Sequence, residues 1–259
     1  MEKSIQAALM EIERARDVRI LYACEAGSRA WGTARSDSDY DVRAIYMHPL
    51  EWYLSIEHKQ DYIDVYAEKR RLDIHGWEIR KALQLLNKST PSLLEWLQSS
   101  IVYRSCPAFV SSMRMLARKC FSPKACIYHY LHMAERNYRK MTQQEAADVK
   151  AYFYILRPLL ACKHIENHHA IPPLEFQALL KSAAVSPSIV NELEQLLILK
   201  LQEEKRPSAV NQKVLHHFIE QEIERMKQIA DSLQPNRADN ADELNRLFRQ
   251  MLIKDNDVQ

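Results

Sequence analysis

Only three of the 259 residues are glycine, and two of them, Gly27 and Gly32, fall inside one stretch from Tyr22 to Ala44 that reads YACEAGSRAWGTARSDSDYDVRA. In a chain so poor in glycine, each one marks a backbone position that a side chain would obstruct, a tight turn or a close approach to a ligand. The run Val18–Cys24 just before it is apolar and bounded by Asp17 and the Gly27 turn, as a short buried strand would be. After Ser36-Asp37-Ser38 a second strand carries Asp39 and Asp41. Strand, Gly-Ser turn, short connection and second strand follow one another so closely that the N-terminal part of the chain is committed to a sheet.

Strand alternation puts Asp39, Asp41 and Arg43 on one side and Tyr40, Val42 and Ala44 on the other. Two carboxylates about 7 Å apart along a strand repel unless a cation lies between them. A hard cation such as Mg²⁺ prefers carboxylate oxygen and completes its shell with water and substrate phosphate, so the pattern points to phosphate chemistry. The plain alternative is an edge strand with two solvated aspartates. The Gly27-Ser28 turn, ending a strand and opening a helix, adds N–H groups, a hydroxyl and a positive helix end suited to an anion. With Arg29 or Arg35 nearby, that anion is a polyphosphate.

Two more strands are expected, over Tyr62–Tyr66 and Arg71–His75, with an acid between apolar neighbours in each. Asp64 and Asp73 are therefore both able to supply a third carboxylate. Asp73 is preferred, because it precedes Gly76 and a helix over 77–88, whereas Asp64 suits the solvent face of a hairpin. The run Lys69-Arg70-Arg71 reads as a solvated turn or as a contact to an acceptor's backbone. Residues 2–17 place Ile5, Leu9 and Ile12 at helical spacing, an amphipathic helix covering the sheet.

From there the chain reads as nearly all helix. Thr90-Pro91, Pro107, Ser122-Pro123 and Ser186-Pro187 open helices, and Thr142-x-x-Glu145 is a capping box for a helix running toward His164. Pro158 is expected to kink or break that helix. Residues 234–240 read as a hinge, and Leu244, Leu247, Phe248, Met251 and Leu252 draw an apolar stripe that folds back on its own domain or docks on another subunit. The boundaries expected are 1–100, 101–235 and 236–259.

A net charge of +2 means that a nucleic-acid partner would have to be held by a local patch. Five cysteines without CxxC or framework spacing favour reduced thiols in the cytoplasm. No run approaches the ~18 apolar residues of a membrane span, and the N-terminus has no long apolar segment, so membrane insertion and export are not expected. His164 and His168 are spaced as a helical metal pair but lack the other ligands of a zinc site; His129 and His132 have no evident partner.

On these residues the chain resembles the DNA polymerase beta-like nucleotidyltransferase superfamily, with Gly27-Ser28, Asp39-x-Asp41 and the apolar-flanked Asp73 in the expected order. GSRAWG…SDSDYDVRAIY, GWEIRKALQLL, SLLEWLQSSIVY, HYLHMAERNYRK and YFYILRPLLAC further resemble RlaP, a family of nucleotidyltransferases associated with RNA ligase and RNA repair, over most of residues 20–165. One departure stands out: Gly76-Trp77 is followed by Glu78 where Gly-Trp-Asp is expected, with the charge kept. The resemblance implies an α+β fold: a small mixed β-sheet nucleotidyltransferase core flanked by helices, then an all-α helical domain. It implies that Asp39, Asp41 and Asp73 hold Mg²⁺ or Mn²⁺ for transfer of a nucleoside monophosphate from a nucleoside triphosphate such as ATP to a hydroxyl acceptor, an RNA 3′ end, with release of pyrophosphate. Gly27 and Ser28 would steady the triphosphate, with Arg29, Lys150 and Arg157 as further contacts and Tyr128 or Tyr154 stacking on a base. A nucleotide-binding regulatory protein, or an antitoxin-like nucleotidyltransferase acting on protein, is the alternative. Arg157 and His164 also make the Arg-x6-His spacing of HEPN ribonucleases, although Pro158 departs from that motif.

Overall fold

The structure, a computed structural model, describes residues 1–67, 71–143, 148–234 and 240–256. Lys69 and Arg70 of the basic run, Glu145 of the capping box and most of the expected hinge lie outside the described residues. The chain forms two compact units: Met1–Ala30, Ser38–Cys120 and Arg237–Gln259 make the first, Trp31–Asp37 and Phe121–Asn236 the second.

In the first unit, helix α1 (Glu2–Arg16) is followed by β1 (Arg19–Glu25), the short α2 (Gly27–Ala30), β2 (Tyr40–Met47), α3 (Leu50–Tyr53), β3 (Tyr62–Ala67), β4 (Leu72–Glu78), α4 (Ile79–Asn87), α5 (Pro91–Trp96), β5 (Val102–Ser105) and α6 (Pro107–Cys120). The strands form one mixed sheet in the order β3-β4-β2-β1-β5. The β2–β4 pair is parallel and the other pairs are antiparallel. The fold is thus α+β, as the resemblance implies. The strand β5 is not visible in the sequence, because four residues are too few to show an alternation; its pairing with β1 creates it.

Ile5, Leu9 and Ile12 of α1 join Val42, Ala44, Ile63, Leu72 and Ile74 in one core cluster. Since side chains alternate along a strand, the same pleat turns Asp41 and Arg43 of β2, with Asp73 and His75 of β4, to the opposite face. The helix α12 (Ala241–Asn256) packs on α4 and α6 within this unit, burying Leu244, Leu247, Met251 and Leu252. Its apolar stripe therefore folds back on its own chain.

Helices α7 (Pro123–Thr142), α8 (Val149–His168), α9 (Phe176–Ser182), α10 (Pro187–Leu201) and α11 (Gln212–Ser232) build the second unit. Two local expectations are corrected there. The N-cap of α8 is Asp148, whose carboxylate accepts the Lys150 N–H at 2.8 Å, not Thr142, which ends α7. Nor does Pro158 end α8, which runs through it. A proline frees the carbonyl four residues earlier, here that of Tyr154, and the Asn137 side-chain amide of α7 donates to that oxygen at 2.9 Å. The helix continues because a neighbouring helix supplies the missing hydrogen bond.

Candidate active site

The turn after β1 is built by close backbone contacts. Gly27 has φ +57°, and a Cβ there would lie 2.1 Å from Asp41 Oδ2 and 3.0 Å from its carboxyl carbon. The obstruction that excludes a side chain at Gly27 is thus the Asp41 carboxylate itself. The Ala26 N–H donates to the Asp41 carbonyl at 2.8 Å, and the Asp41 N–H donates to Glu25 Oε1 at 2.8 Å. Glu25 is fully buried and also accepts the Tyr103 hydroxyl. Burial pushes its carboxyl above the usual glutamate range. Sequence reading missed Glu25; its position one residue before Ala26-Gly27, at the end of an apolar run, is the only trace of this role.

Across the sheet, the parallel register sets Asp41 directly opposite Asp73. Asp64 instead lies opposite His75 and pairs with its ring. It is Asp73, therefore, that the fold sets beside Asp41. Asp39 is exposed and precedes the first residue of β2. Arg43, two residues along β2 from Asp41, places Nη2 3.1 Å from Asp41 Oδ1 and 3.0 Å from Asp73 Oδ2. Its Nη1 donates to the Asp73 carbonyl at 3.2 Å and the Val42 carbonyl at 3.0 Å. Among the described residues no group of three His, Cys, Asp or Glu side chains is disposed to hold a metal ion. In donor type the pair suits a hard divalent cation, and a cationic group already draws both carboxylates together.

Arg29 donates to the carbonyls of Ser38 at 2.8 Å and Asp39 at 3.1 Å, and stacks on Tyr40 with 3.7 Å from guanidinium carbon to ring centre. It thereby ties α2 to the entrance of β2. Ser28 is half-buried in α2. Glu78, the departure from Gly-Trp-Asp, caps α4: its carboxylate accepts the N–H groups of Arg80 at 2.8 Å and Lys81 at 3.2 Å, with the Tyr53 hydroxyl at 2.6 Å. A cavity of about 700 Å³ touched by Arg16, Tyr46, His48 and Trp52 lies at the other end of β2; it reaches Asp64 but none of Gly27, Asp39, Asp41 and Asp73.

Lys150 and Arg157 belong to the second unit and lie on one face of α8 by helical spacing, with Tyr154 between them. Arg157 is buried, its guanidinium 4.5 Å from the Trp31 ring and donating to the Leu174 carbonyl at 3.2 Å. Trp31 meets Tyr154 edge-on at 6.0 Å, and the Lys150 ammonium is 5.9 Å from the Tyr154 ring. Tyr128 spends its hydroxyl on Asp231. Lys200, which the sequence does not single out, is buried and donates to Thr33 Oγ1 at 2.9 Å, and burial lowers its ammonium from 10.5 to about 8. His164 and His168 both turn to Ser182, through its hydroxyl at 2.8 Å and its carbonyl at 3.0 Å. Arg157 and His164 make different hydrogen bonds, to the Leu174 carbonyl and the Ser182 hydroxyl.

A family model described as RlaP, RNA repair pathway DNA polymerase beta family, matches residues 1–250. The chain belongs to the RlaP family. This RlaP member is a nucleotidyltransferase of polymerase beta type. It is 44% identical over 248 residues to the uncharacterized protein YcgL of Bacillus subtilis (strain 168), covering 96% of this chain and 95% of that one. A crystal structure of a nucleotidyltransferase-like protein from Exiguobacterium sibiricum 255-15 aligns with 88% of this RlaP chain and 75% of its own, at 12% identity and a TM-score of 0.33. No helix among the described residues is long and apolar enough to cross a membrane.

Proposed function

We propose that this RlaP chain transfers a nucleoside monophosphate from a nucleoside triphosphate to a hydroxyl acceptor, an RNA 3′ end in RNA repair, releasing pyrophosphate in the cytoplasm. The observation that carries the reading is the pairing of Asp41 with Asp73 in parallel register, beside a Gly27 turn that leaves no room for a side chain. Asp41 and Asp73 would hold Mg²⁺ or Mn²⁺, with Asp39 the further ligand that the family resemblance implies; a divalent ion held there would supply charge for the transferring phosphoryl group and the departing pyrophosphate. The acceptor oxygen forms a bond to the α-phosphorus as the bond to pyrophosphate breaks, and Asp73 takes the acceptor's proton on a carboxylate oxygen. Gly27 and Ser28 steady the triphosphate. The Glu25 and Arg29 contacts hold the two ends of the loop between β1 and β2, so that Asp41 is preorganised before substrate arrives.

The test is to incubate purified protein with Mg²⁺, each labelled nucleoside triphosphate and either RNA or protein acceptors. Label is expected in RNA, and Asp41→Asn is expected to reduce it by at least about 10²-fold with the thermal midpoint retained. Label in protein alone would move the acceptor to a polypeptide. Transfer undiminished in Asp41→Asn would sink the assignment.

A further inference from the structure

We propose that Arg43 is a built-in counter-cation for the Asp41–Asp73 pair, holding the two carboxylates together in the metal-free protein and competing with a divalent ion for them. The inference rests on the reading of these aspartates as metal ligands given above. Neighbouring strands run about 4.8 Å apart, so two carboxylates in register on the same face repel one another unless a positive charge is shared between them. Arg43 is the residue that β2 itself delivers to that position, two places along on the same face. Its Nη2 divides between Asp41 Oδ1 at 3.1 Å and Asp73 Oδ2 at 3.0 Å, while Nη1 is anchored on the carbonyls of Val42 and Asp73.

The planar fork gives this contact a definite geometry that a lysine could not reproduce. The side chain of Arg43 is only 18% exposed against 30% for Asp41 and 39% for Asp73, so Arg43 is the more buried partner and part of each carboxylate stays open to solvent. The neighbouring charged groups are already engaged. His75, beside Arg43 in the register, pairs with Asp64, and Arg29 is held by Tyr40 and two carbonyls. Arg43 is therefore the cation that a divalent ion has to displace or share. It is a positioning residue, acting through the aspartates: it keeps them converged without metal and raises the ion concentration needed to load the site.

The experiment measures Mn²⁺ binding by the electron paramagnetic resonance signal of free Mn²⁺, in wild type, Arg43→Gln and Arg43→Lys, with thermal midpoints recorded with and without Mn²⁺. Loss of two half-exposed ion pairs from the competition should tighten Mn²⁺ binding by on the order of tenfold in Arg43→Gln, with Arg43→Lys in between. The metal-free midpoint should fall in Arg43→Gln, and Mn²⁺ should raise it by more than in wild type. A residue that merely braced the fold would weaken binding when removed, so equal or weaker Mn²⁺ binding in the folded variants overturns the role of Arg43 while leaving the metal reading intact. Should Arg43→Gln fail to fold, the Arg43→Lys titration decides the same question. If neither wild type nor variant binds Mn²⁺, both this inference and the reading beneath it are overturned.

Discussion

Replacing Gly27 by alanine tests the close approach on which the site geometry depends. Two costs add. An L-residue at φ +57° sits in the left-handed region at about 1–2 kcal/mol. The new Cβ would also stand 2.1 Å from Asp41 Oδ2, against an ordinary carbon–oxygen contact of about 3.3 Å, so the carboxylate must move by roughly 1 Å. That movement gives up the 3.1 Å contact with Arg43, an ion pair worth about 0.2–1 kcal/mol at this exposure. The sum is about 1–3 kcal/mol, which for a protein of this size lowers the thermal midpoint by roughly 2–12 °C. A misplacement of about 1 Å at the reacting centre costs on the order of 10²-fold in rate, so nucleotide transfer should fall by that factor. Gly32→Ala is the control. Gly32 has φ +70° but nothing within 4 Å of the added Cβ, so it should bear only the conformational cost and keep most of its activity. Scanning calorimetry and the labelled-nucleotide assay read both effects. If the two alanine variants lose midpoint and activity equally, the contact between Gly27 and Asp41 does not govern the site and the reasoning fails.

Two further outcomes follow from other parts of the chain. Glu78→Ala removes the cap of α4 and leaves the N–H groups of Arg80 and Lys81 without their carboxylate; urea unfolding should show a loss of about 1–2 kcal/mol, with less lost in Glu78→Asp. Lys200 has its folded value near 8, below its ordinary 10.5, so the unfolded chain binds more protons between those values and stability should climb as pH rises through that window. Lys200→Met should abolish that climb in a midpoint-against-pH series, and an unchanged series would mean that the ammonium is not buried as described.

Much of the architecture can be read directly from residue order. The periodicity of Ile5, Leu9 and Ile12 marks α1, the apolar run ending at Cys24 marks β1, and prolines at 91, 107, 123 and 187 each open a helix where expected. These signals are local: each depends on backbone preferences or on the alternation of a single element. Readings that depended on a partner fared differently. Pro158 signals a broken helix only until Asn137 of α7 satisfies the carbonyl it frees. The four residues of β5 become a strand only against β1. Glu78 looked like a conservative exchange within a motif, and its use is to cap a helix.

Sequence alone determined that a glycine-serine bend and a strand carrying Asp41 stand close together near the N-terminus, because scarcity of glycine and strand alternation are properties of the chain itself; Asp39, expected in that strand, lies just before it. Tertiary structure added the register: sequence order already favours Asp73 over Asp64 through the Gly76 and helix that follow it, but only the parallel pairing of β2 with β4 puts Asp73 opposite Asp41. It also decided that the obstacle at Gly27 is a carboxylate of the protein and that Arg43 lies between the two acids. Register between strands distant in sequence is set by how whole faces bury against α1, a collective condition that no short motif contains.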